Sequence, residues 1–339
     1  MNLYNGLTYT GPLIVHTYYV MSLLFIPVIS AIIYNIDEII GSVRKVDRKL
    51  LFLLFIVFTI GFLIRNNGYR YGIDVDGLYY QEMAKNIHEQ GIFAQGCSIG
   101  NPTDCKFYNE SVVLPGYPFL MTIFFRFFGV HDIIAMFISG ILSSISILLV
   151  FVIYYLLFEE PKGALISSAI FAFLPLDIYI APTAAVRPTA IFFMCLTILF
   201  FLLALKEKKP TLWLAAIFCM SFTIYIRLEF YLLLIPLCLY SLLGRTLRLT
   251  KNNIILVAAG TIIFLLHQFL SLDWLWHRKF GLTGGIYQTF SLKNAASFFN
   301  IFSNFFEKKI LGVYLFSPII SILLLISFFL LIFSKNGRK

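Results

Sequence analysis

Charged residues are scarce in this chain, and their scarcity sets its broad class. Only 13% of the 339 residues are Asp, Glu, Lys or Arg, whereas 60% are hydrophobic. A soluble domain carries about 25% charged residues and about 45–50% apolar residues. Because so few charges could not keep the surface of a soluble fold hydrated, the composition indicates a membrane protein.

The sequence also lacks a single basic patch and a secretory leader. The net charge of +9 could suggest a nucleic-acid partner, but Lys and Arg fall in short clusters between apolar runs. That distribution is typical of membrane topology and excludes nucleic-acid binding from our predictions. The N-terminus has neither a basic region nor a small-residue cleavage site, so we expect the first apolar segment to remain in the mature chain.

Long apolar segments dominate what is present. A span needs about 20 residues, or somewhat fewer where the bilayer adapts. Non-helical backbone facing lipid would leave polar groups unsatisfied, so the segments predict helices. The fold class is therefore an all-α polytopic membrane protein, a single transmembrane domain over residues 1–339. Nine spans are predicted, at residues 13–35, 50–65, 133–157, 163–180, 188–205, 211–226, 229–243, 252–270 and 316–333.

Dense Lys and Arg clusters orient this predicted bundle. The clusters occupy residues 44–49, 206–209, 245–251 and 335–339. All four fall on one side of the nine-span arrangement, and short basic loops mark the cytoplasmic side. We expect a multi-pass protein of the cell membrane with its N-terminus outside and its C-terminus in the cytoplasm. Two long loops, 66–132 and 271–315, are then exoplasmic, and loops this long are usually functional or disordered.

The segment "YGIDVDGLYYQEMAKNI" (71–87) in the first exoplasmic loop predicts a helix. Apolar residues recur at helical spacing at Tyr80, Met83, Ala84 and Ile87. Gly91 marks the predicted end of this helix.

Two acids precede that stripe. Asp76 lies where a helix N-cap would be, so a capping role and a functional role are both open for it. Asp74 has no capping role, although two acids in a loop commonly form only a solvated turn.

A cysteine pair and an aromatic segment follow in the same loop. Cys97 and Cys105 are the only two of the five cysteines outside predicted spans, and a loop disulfide is favoured over free thiols. A helix over 117–128 would be about 18 Å long at 1.5 Å per residue. That is too short to cross about 30 Å of hydrocarbon. With Arg126 among many aromatic residues, this segment predicts a helix lying in the outer interface.

These motifs resemble a known family. D-x-D-G-x-x-Y-x-x-x-A-x-N-I-x-x-x-G-x-F, L-P-G-Y-P-F-L and F-F-G, within residues 71–129, are similar to the first exoplasmic loop of GT-C glycosyltransferases. The similar branch contains dolichyl-phosphate-mannose protein mannosyltransferases and aminoarabinose lipid transferases, and weaker resemblance covers 174–188 and 224–236. The resemblance implies a GT-C-like helix bundle with interfacial helices, an exoplasmic active site and a polyprenyl-phosphate-linked sugar donor.

The resemblance also implies site residues. Asp76 takes the place of the catalytic acid, and Asp74 matches an extra acid of the D-x-D-G variants. Transfer of a sugar to a hydroxyl needs a base and positive charge near the leaving phosphate. Which acid takes the proton is open. The pair could instead hold Mg²⁺ or Mn²⁺ through its oxygens, and no cofactor follows from the motif alone.

Cations at the predicted outer ends of spans are candidates for phosphate binding, because arginine pairs with phosphate in a bidentate way. Their alternative role is to anchor the spans to lipid headgroups. Asp177 is either a functional acid at membrane depth or a loop residue in water. The substrate-binding candidates are Arg187, Arg227, Glu229, Tyr80, His277, Arg278 and Lys279.

Three departures from the family pattern leave the substrate open. Gly77 and Arg187 stand where many relatives have acids, and the apolar segment 13–35 precedes the usual first span. The sequence predicts an inverting glycosyltransferase that moves a sugar to a protein, glycan or lipid acceptor. A lipid-linked-sugar transporter or flippase and a non-catalytic GT-C-like scaffold are the alternatives. Transporters tend to carry charges near mid-membrane and repeated halves, which this sequence does not show.

Overall fold

The computed structural model describes residues 16–68, 75–93 and 114–234, together with a few short pieces of the remaining chain. The short pieces are 236–237, 240, 261–262, 265, 309–310 and 313–314. The side chains of Val75 and Asp76 are not among the described ones.

The described chain is helical except for one pair of two-residue strands, which confirms the predicted all-α class. The α-helices are α1 (Thr17–Tyr34), α2 (Ile36–Val43), α3 (Arg48–Asn66), α4 (Val75–Gln90), α5 (Gly116–Phe128), α6 (Asp132–Phe158), α7 (Pro161–Ala172), α8 (Pro175–Ile180), α9 (Val186–Glu207) and α10 (Pro210–Ile226). A 3₁₀ helix spans Leu228–Leu233, and β1 (Lys309–Ile310) pairs antiparallel with β2 (Val313–Tyr314).

Four of these helices, α1, α3, α6 and α9, are long and apolar enough to cross a membrane. They coincide with four predicted spans, those at 13–35, 50–65, 133–157 and 188–205. The shorter apolar helix α10 has 17 residues and covers the predicted span 211–226.

The last three predicted spans fall largely outside the described residues. The span predicted at 229–243 begins in the structure with the 3₁₀ helix Leu228–Leu233 rather than with an α-helix. The spans predicted at 252–270 and 316–333, and the loop at 271–315, have few or no described residues.

The span predicted at 163–180 is wrong as one continuous helix. It is divided into α7, which ends at Ala172, and α8, which begins at Pro175. Proline fits the first turn of a helix but removes a hydrogen bond inside one. The residue before proline is also driven out of the helical region, and Leu174 is extended with ψ 115°.

A buried arginine stabilises this break. Arg65, near the end of α3, has no exposed surface. Its Nη1 donates to the Ala172 carbonyl group and its Nη2 to the Phe171 carbonyl group, the latter at 2.8 Å. These carbonyl groups end α7, and that of Phe171 also accepts from the Leu174 N–H at 3.3 Å. The guanidinium supplies further hydrogen bonds where the next helical turn is missing.

The same guanidinium holds α8 through Asp177. Nε and Nη2 of Arg65 donate to Asp177 Oδ2 at 2.9 and 2.8 Å. Ser143 of α6 donates its hydroxyl to the same oxygen at 2.6 Å. The Asp177 side chain is only 9% exposed, so the prediction that it could be a loop residue in water is wrong.

Helix α1 packs along α10 and α5 through aromatic rings. The Phe25 ring lies 5.7 Å from that of Phe119, 6.4 Å from that of Phe193 and 4.9 Å from that of Phe222, measured between centroids. These four Phe residues therefore serve packing between the helices. The segment that precedes the usual first span of the family is an integral part of the bundle.

Polar contacts join α1 and α2 to α10 at the other end of the bundle. Thr211 Oγ1 donates to Asn35 Oδ1 at 3.2 Å, and Lys209 forms an ion pair with Glu38. The basic clusters 44–49 and 206–209 adjoin these contacts. They therefore lie at one end of the bundle, as the nine-span arrangement requires.

Replacing Arg65 tests the role of the helix break. Arg65→Met should lower the free energy of unfolding by about 3–5 kcal/mol, because it leaves the buried Asp177 carboxylate without its partner. Arg65→Lys should recover only part of this loss, since lysine lacks the forked geometry. The measurement is thermal unfolding of the purified protein in detergent.

The exposed Arg48, at the start of α3, provides the matched control. Arg48→Met should leave the melting temperature close to that of the wild type. Equal melting temperatures for the Arg65→Met and Arg48→Met variants would show that the break does not depend on the arginine.

Candidate active site

Helix α4 forms where the helical stripe predicts it. Tyr80, Met83, Ala84 and Ile87 are 8%, 1%, 0% and 1% exposed and face the bundle. The helix ends at Gln90, and Gly91 follows with φ 73°, a conformation that favours glycine. The predicted apolar face and the predicted end of this helix are confirmed.

The prediction that Asp76 caps this helix is wrong. Helix α4 begins at Val75, which places Asp76 inside the first turn rather than before it. Position 76 lies one turn before Tyr80 in α4. Asp74, the residue directly before the helix in the sequence, lies outside the described residues.

Helix α5 also forms where predicted, but it is more deeply packed than an interfacial helix on a lipid surface. All residues from Gly116 to Met121 are buried. Thr122 Oγ1 donates to the Ala84 carbonyl group at 3.0 Å, which joins α5 to α4. Arg126, at the other end of α5, lies over the Tyr18 ring at 3.8 Å from its centroid. This contact ties α5 to α1.

Two close backbone approaches bring α4 and α5 to the ends of α9 and α10. A Cβ atom at Gly116 would lie 2.7 Å from the Tyr225 carbonyl oxygen, two residues before Arg227. A Cβ atom at Gly77 would lie 3.2 Å from the Ala184 carbonyl oxygen, three residues before Arg187. Glycine permits both approaches, and the acid that many relatives have at position 77 would not fit without movement.

Tyr117 connects these elements at their centre. Its hydroxyl lies 2.7 Å from Ser139 Oγ of α6, and the Ser139 hydroxyl donates to the Ala185 carbonyl group at 3.0 Å. The rings of Tyr80 and Tyr117 meet edge to face, 5.3 Å apart. We call this end of the bundle the rim. It is formed by the starts of α4, α5, α6 and α9 and the end of α10.

Two arginines stand on the rim. Arg187 is the second residue of α9 and is exposed, whereas Arg227 follows α10 and forms an ion pair with Glu229. Partial burial opposes ionisation of Glu229, but the Arg227 hydrogen bond and the positive charges of Arg227 and Arg187 outweigh it. The pKa of Glu229 therefore lies below its usual value. The rim thus presents the carboxylate of Glu229 paired with Arg227, with Arg187 near enough to act on its charge.

Other predicted site residues fall outside this geometry. Tyr80 is mostly buried against Tyr117, so contact with a substrate stays a prediction for it. Among the described side chains, no group of three His, Cys, Asp or Glu gathers to hold a metal ion. The predicted site residues that lie outside the described part of the chain are Asp74, Cys97, Cys105, His277, Arg278 and Lys279.

Sequence reasoning missed the polar contacts that shape the rim. Arg65 lies near the end of a predicted span, and an ionisable residue at that depth is a signal for function. Nothing in the sequence points from Arg65 to Asp177, or from Tyr117 to Ser139.

The fold and the rim define a polytopic helical membrane protein with buried polar contacts at one end of its bundle. A family model described as dolichyl-phosphate-mannose-protein mannosyltransferase matches residues 112–271. This match confirms that the chain resembles GT-C membrane glycosyltransferases, and it supports enzymatic activity. It includes Arg187, Arg227 and Glu229 but begins after the two acids of the D-x-D motif. No curated protein sequence matches the chain.

Gly116 offers a test of the rim geometry. Gly116→Ala should lower the free energy of unfolding by about 1–3 kcal/mol, because the added methyl group would overlap the Tyr225 carbonyl oxygen. Gly41→Ala is the matched control, since a Cβ atom at Gly41 in α2 meets nothing within 4 Å. Alanine there should be neutral or stabilising by up to about 1 kcal/mol. The measurement is thermal unfolding of both variants. Equal melting temperatures would contradict the close approach between Gly116 and the Tyr225 carbonyl oxygen.

Proposed function

We propose that this protein is a glycosyltransferase that moves a sugar from a polyprenyl-phosphate-linked donor to an acceptor hydroxyl. The convergence on the rim supports this proposal most directly. The first turn of α4, which contains position 76, meets Ala184 just before α9 and Arg187. The start of α5, which packs on α4, meets the end of α10, which Arg227 follows. A general base and cations for a phosphate are the two groups that such a reaction needs.

In the proposed reaction, the acceptor oxygen attacks the anomeric carbon of the sugar. The bond between that carbon and the phosphate oxygen breaks, and the configuration at the carbon inverts. The acceptor proton passes to a carboxylate, and the polyprenyl phosphate leaves with the electron pair of the broken bond. We assign the role of the base to Asp76, which takes the position of the catalytic acid in the similar family, and a supporting role to Asp74.

The leaving phosphate is assigned to the rim cations. A guanidinium group can donate two parallel hydrogen bonds to phosphate oxygens, so Arg187 and Arg227 are the principal candidates. His277, Arg278 and Lys279 would add charge from the second loop. Tyr80 would support the start of α4 through its packing against Tyr117.

A divalent cation is a separate part of the proposal. The oxygens of Asp74 and Asp76 are ligands that Mg²⁺ or Mn²⁺ would accept. No step of the proposed reaction depends on a metal, and chelation is an arm of the test below.

The side of the membrane and the acceptor complete the proposal. We place the rim on the exoplasmic face, with the basic clusters 44–49 and 206–209 in the cytoplasm, because short basic loops favour that side. An oxidising exoplasmic compartment would also permit the disulfide between Cys97 and Cys105. The acceptor is a protein, glycan or lipid of the cell envelope.

The assignment of the base predicts a separation of turnover from binding. Asp76→Asn should reduce sugar transfer by about 10²-fold or more, since general-base catalysis contributes about 10²–10⁴-fold. Binding of a polyprenyl-phosphate-linked sugar should remain near that of the wild type. The measurements are transfer of a radiolabelled sugar in proteoliposomes and donor binding by the same preparations. Asp74→Asn and treatment with EDTA test the second acid and the metal.

Asp37→Asn is the matched control, because Asp37 is exposed in α2 at the opposite end of the bundle. It should transfer sugar at the wild-type rate. If correctly inserted Asp76→Asn protein transfers sugar at the wild-type rate, Asp76 is not the base. Movement of the intact donor across the bilayer without transfer would indicate a flippase instead.

A further inference from the structure

Glu229 forms an ion pair with Arg227, one of the two arginines on the rim. Its carboxylate is paired with the Arg227 guanidinium. The Glu229 side chain is 60% exposed and that of Arg227 is 32% exposed, so both are accessible from outside the bundle. An ion pair this open is weak and can be exchanged for another anion.

Arg187 acts on the same carboxylate. Its positive charge contributes to the ionisation of Glu229, although it forms no ion pair with any described residue. Glu229 is therefore paired with Arg227 and lies within reach of the charge of Arg187. An incoming phosphate would gain two positive charges and meet one negative charge.

The charges of donor and product differ at this unit. The donor is a phosphodiester with one negative charge, whereas the polyprenyl phosphate product is a monoester. A phosphate monoester carries about 1.5 to 2 negative charges at pH 7. Two arginines alone would hold the product more tightly than the donor, because Coulomb energy grows with charge. Tight product binding would slow each turnover.

We infer that Glu229 is a specificity-determining residue that competes with the lipid phosphate for Arg227 and Arg187. Its repulsion acts more strongly on the monoester product than on the diester donor, so it favours product release. The inference rests on the proposed function, because it takes the two arginines as the phosphate site. It adds a role for an acid that base catalysis and phosphate binding leave unused.

Two matched probes test this role. Farnesyl phosphate represents the monoester product, and farnesyl methyl phosphate represents the diester donor. Isothermal titration calorimetry of the full chain in nanodiscs of neutral lipid gives both dissociation constants. Glu229→Gln should tighten binding of the monoester by about two- to fivefold, the range for a partly exposed ion pair, and that of the diester by less.

Glu207→Gln is the control for loss of one negative charge. Glu207 is exposed at the far end of α9, the helix that begins beside Arg187. This variant should bind both probes as the wild type does. Glu229→Asp keeps the charge and should preserve the wild-type ratio of the two constants. Glu229→Ser supplies a second neutral side chain if the glutamine variant does not fold.

The outcomes separate this inference from the function on which it rests. If Arg227→Gln weakens binding of both probes but neutral variants at position 229 leave the ratio unchanged, Glu229 is not a competitor and the phosphate site stands. Weaker binding by the neutral variants would show that Glu229 orients Arg227, which also overturns the inference. If the wild type binds neither probe, the proposed phosphate site itself fails.

Discussion

The buried ion pair between Arg65 and Asp177 is the interaction on which the candidate site depends. A break within an apolar segment leaves carbonyl groups without partners, which is costly where water is absent. Arg65 satisfies the last carbonyl groups of α7 and the carboxylate of α8 together. A buried ion pair is weak evidence for stability on its own. This one also supplies the hydrogen bonds that the break requires.

The break has a consequence for the rim. Helix α8 leads into residues 181–185, whose backbone meets Gly77 of α4 and the Ser139 hydroxyl of α6. A continuous helix over 163–180 would carry this connection to a different place. The position of Arg187, in the first turn of α9 directly afterwards, therefore follows from a contact made by α3 far earlier in the chain. Buried serines of α6 serve both contacts, Ser143 at the break and Ser139 at the rim.

The elements that could be predicted from the sequence are those with a local signal. Hydropathy located four spans because each is one uninterrupted apolar helix, and the stripe from Tyr80 to Ile87 located the buried face of α4. The break at Leu174 was not predicted because hydropathy averages across it, although Pro175 indicates that a helix ends before it. The start of α4 was misplaced because Asp76 has the chemistry of a cap, and a residue type alone does not fix the first turn.

The site was predictable as a set of residues but not as an arrangement. The family resemblance singled out Asp76, and their places at the outer ends of predicted spans singled out Arg187 and Arg227. The helix ends near these residues meet through two glycine contacts and the bonds of Tyr117, and none of these contacts has a signature in one sequence. Arg227 and Glu229 stand two residues apart at a helix turn, so their pairing could be expected from the sequence, and the structure shows it. Only the structure shows that both side chains of this ion pair are exposed to solvent.

The central claim is that the rim binds the phosphate of the lipid carrier beside the first turn of α4. A cryo-electron microscopy structure of the full chain with bound polyprenyl phosphate tests it most directly. We predict phosphate oxygens within hydrogen-bonding distance of Arg187 or Arg227, with Asp76 facing the same cavity. A phosphate bound away from both the D-x-D acids and these arginines would contradict the account.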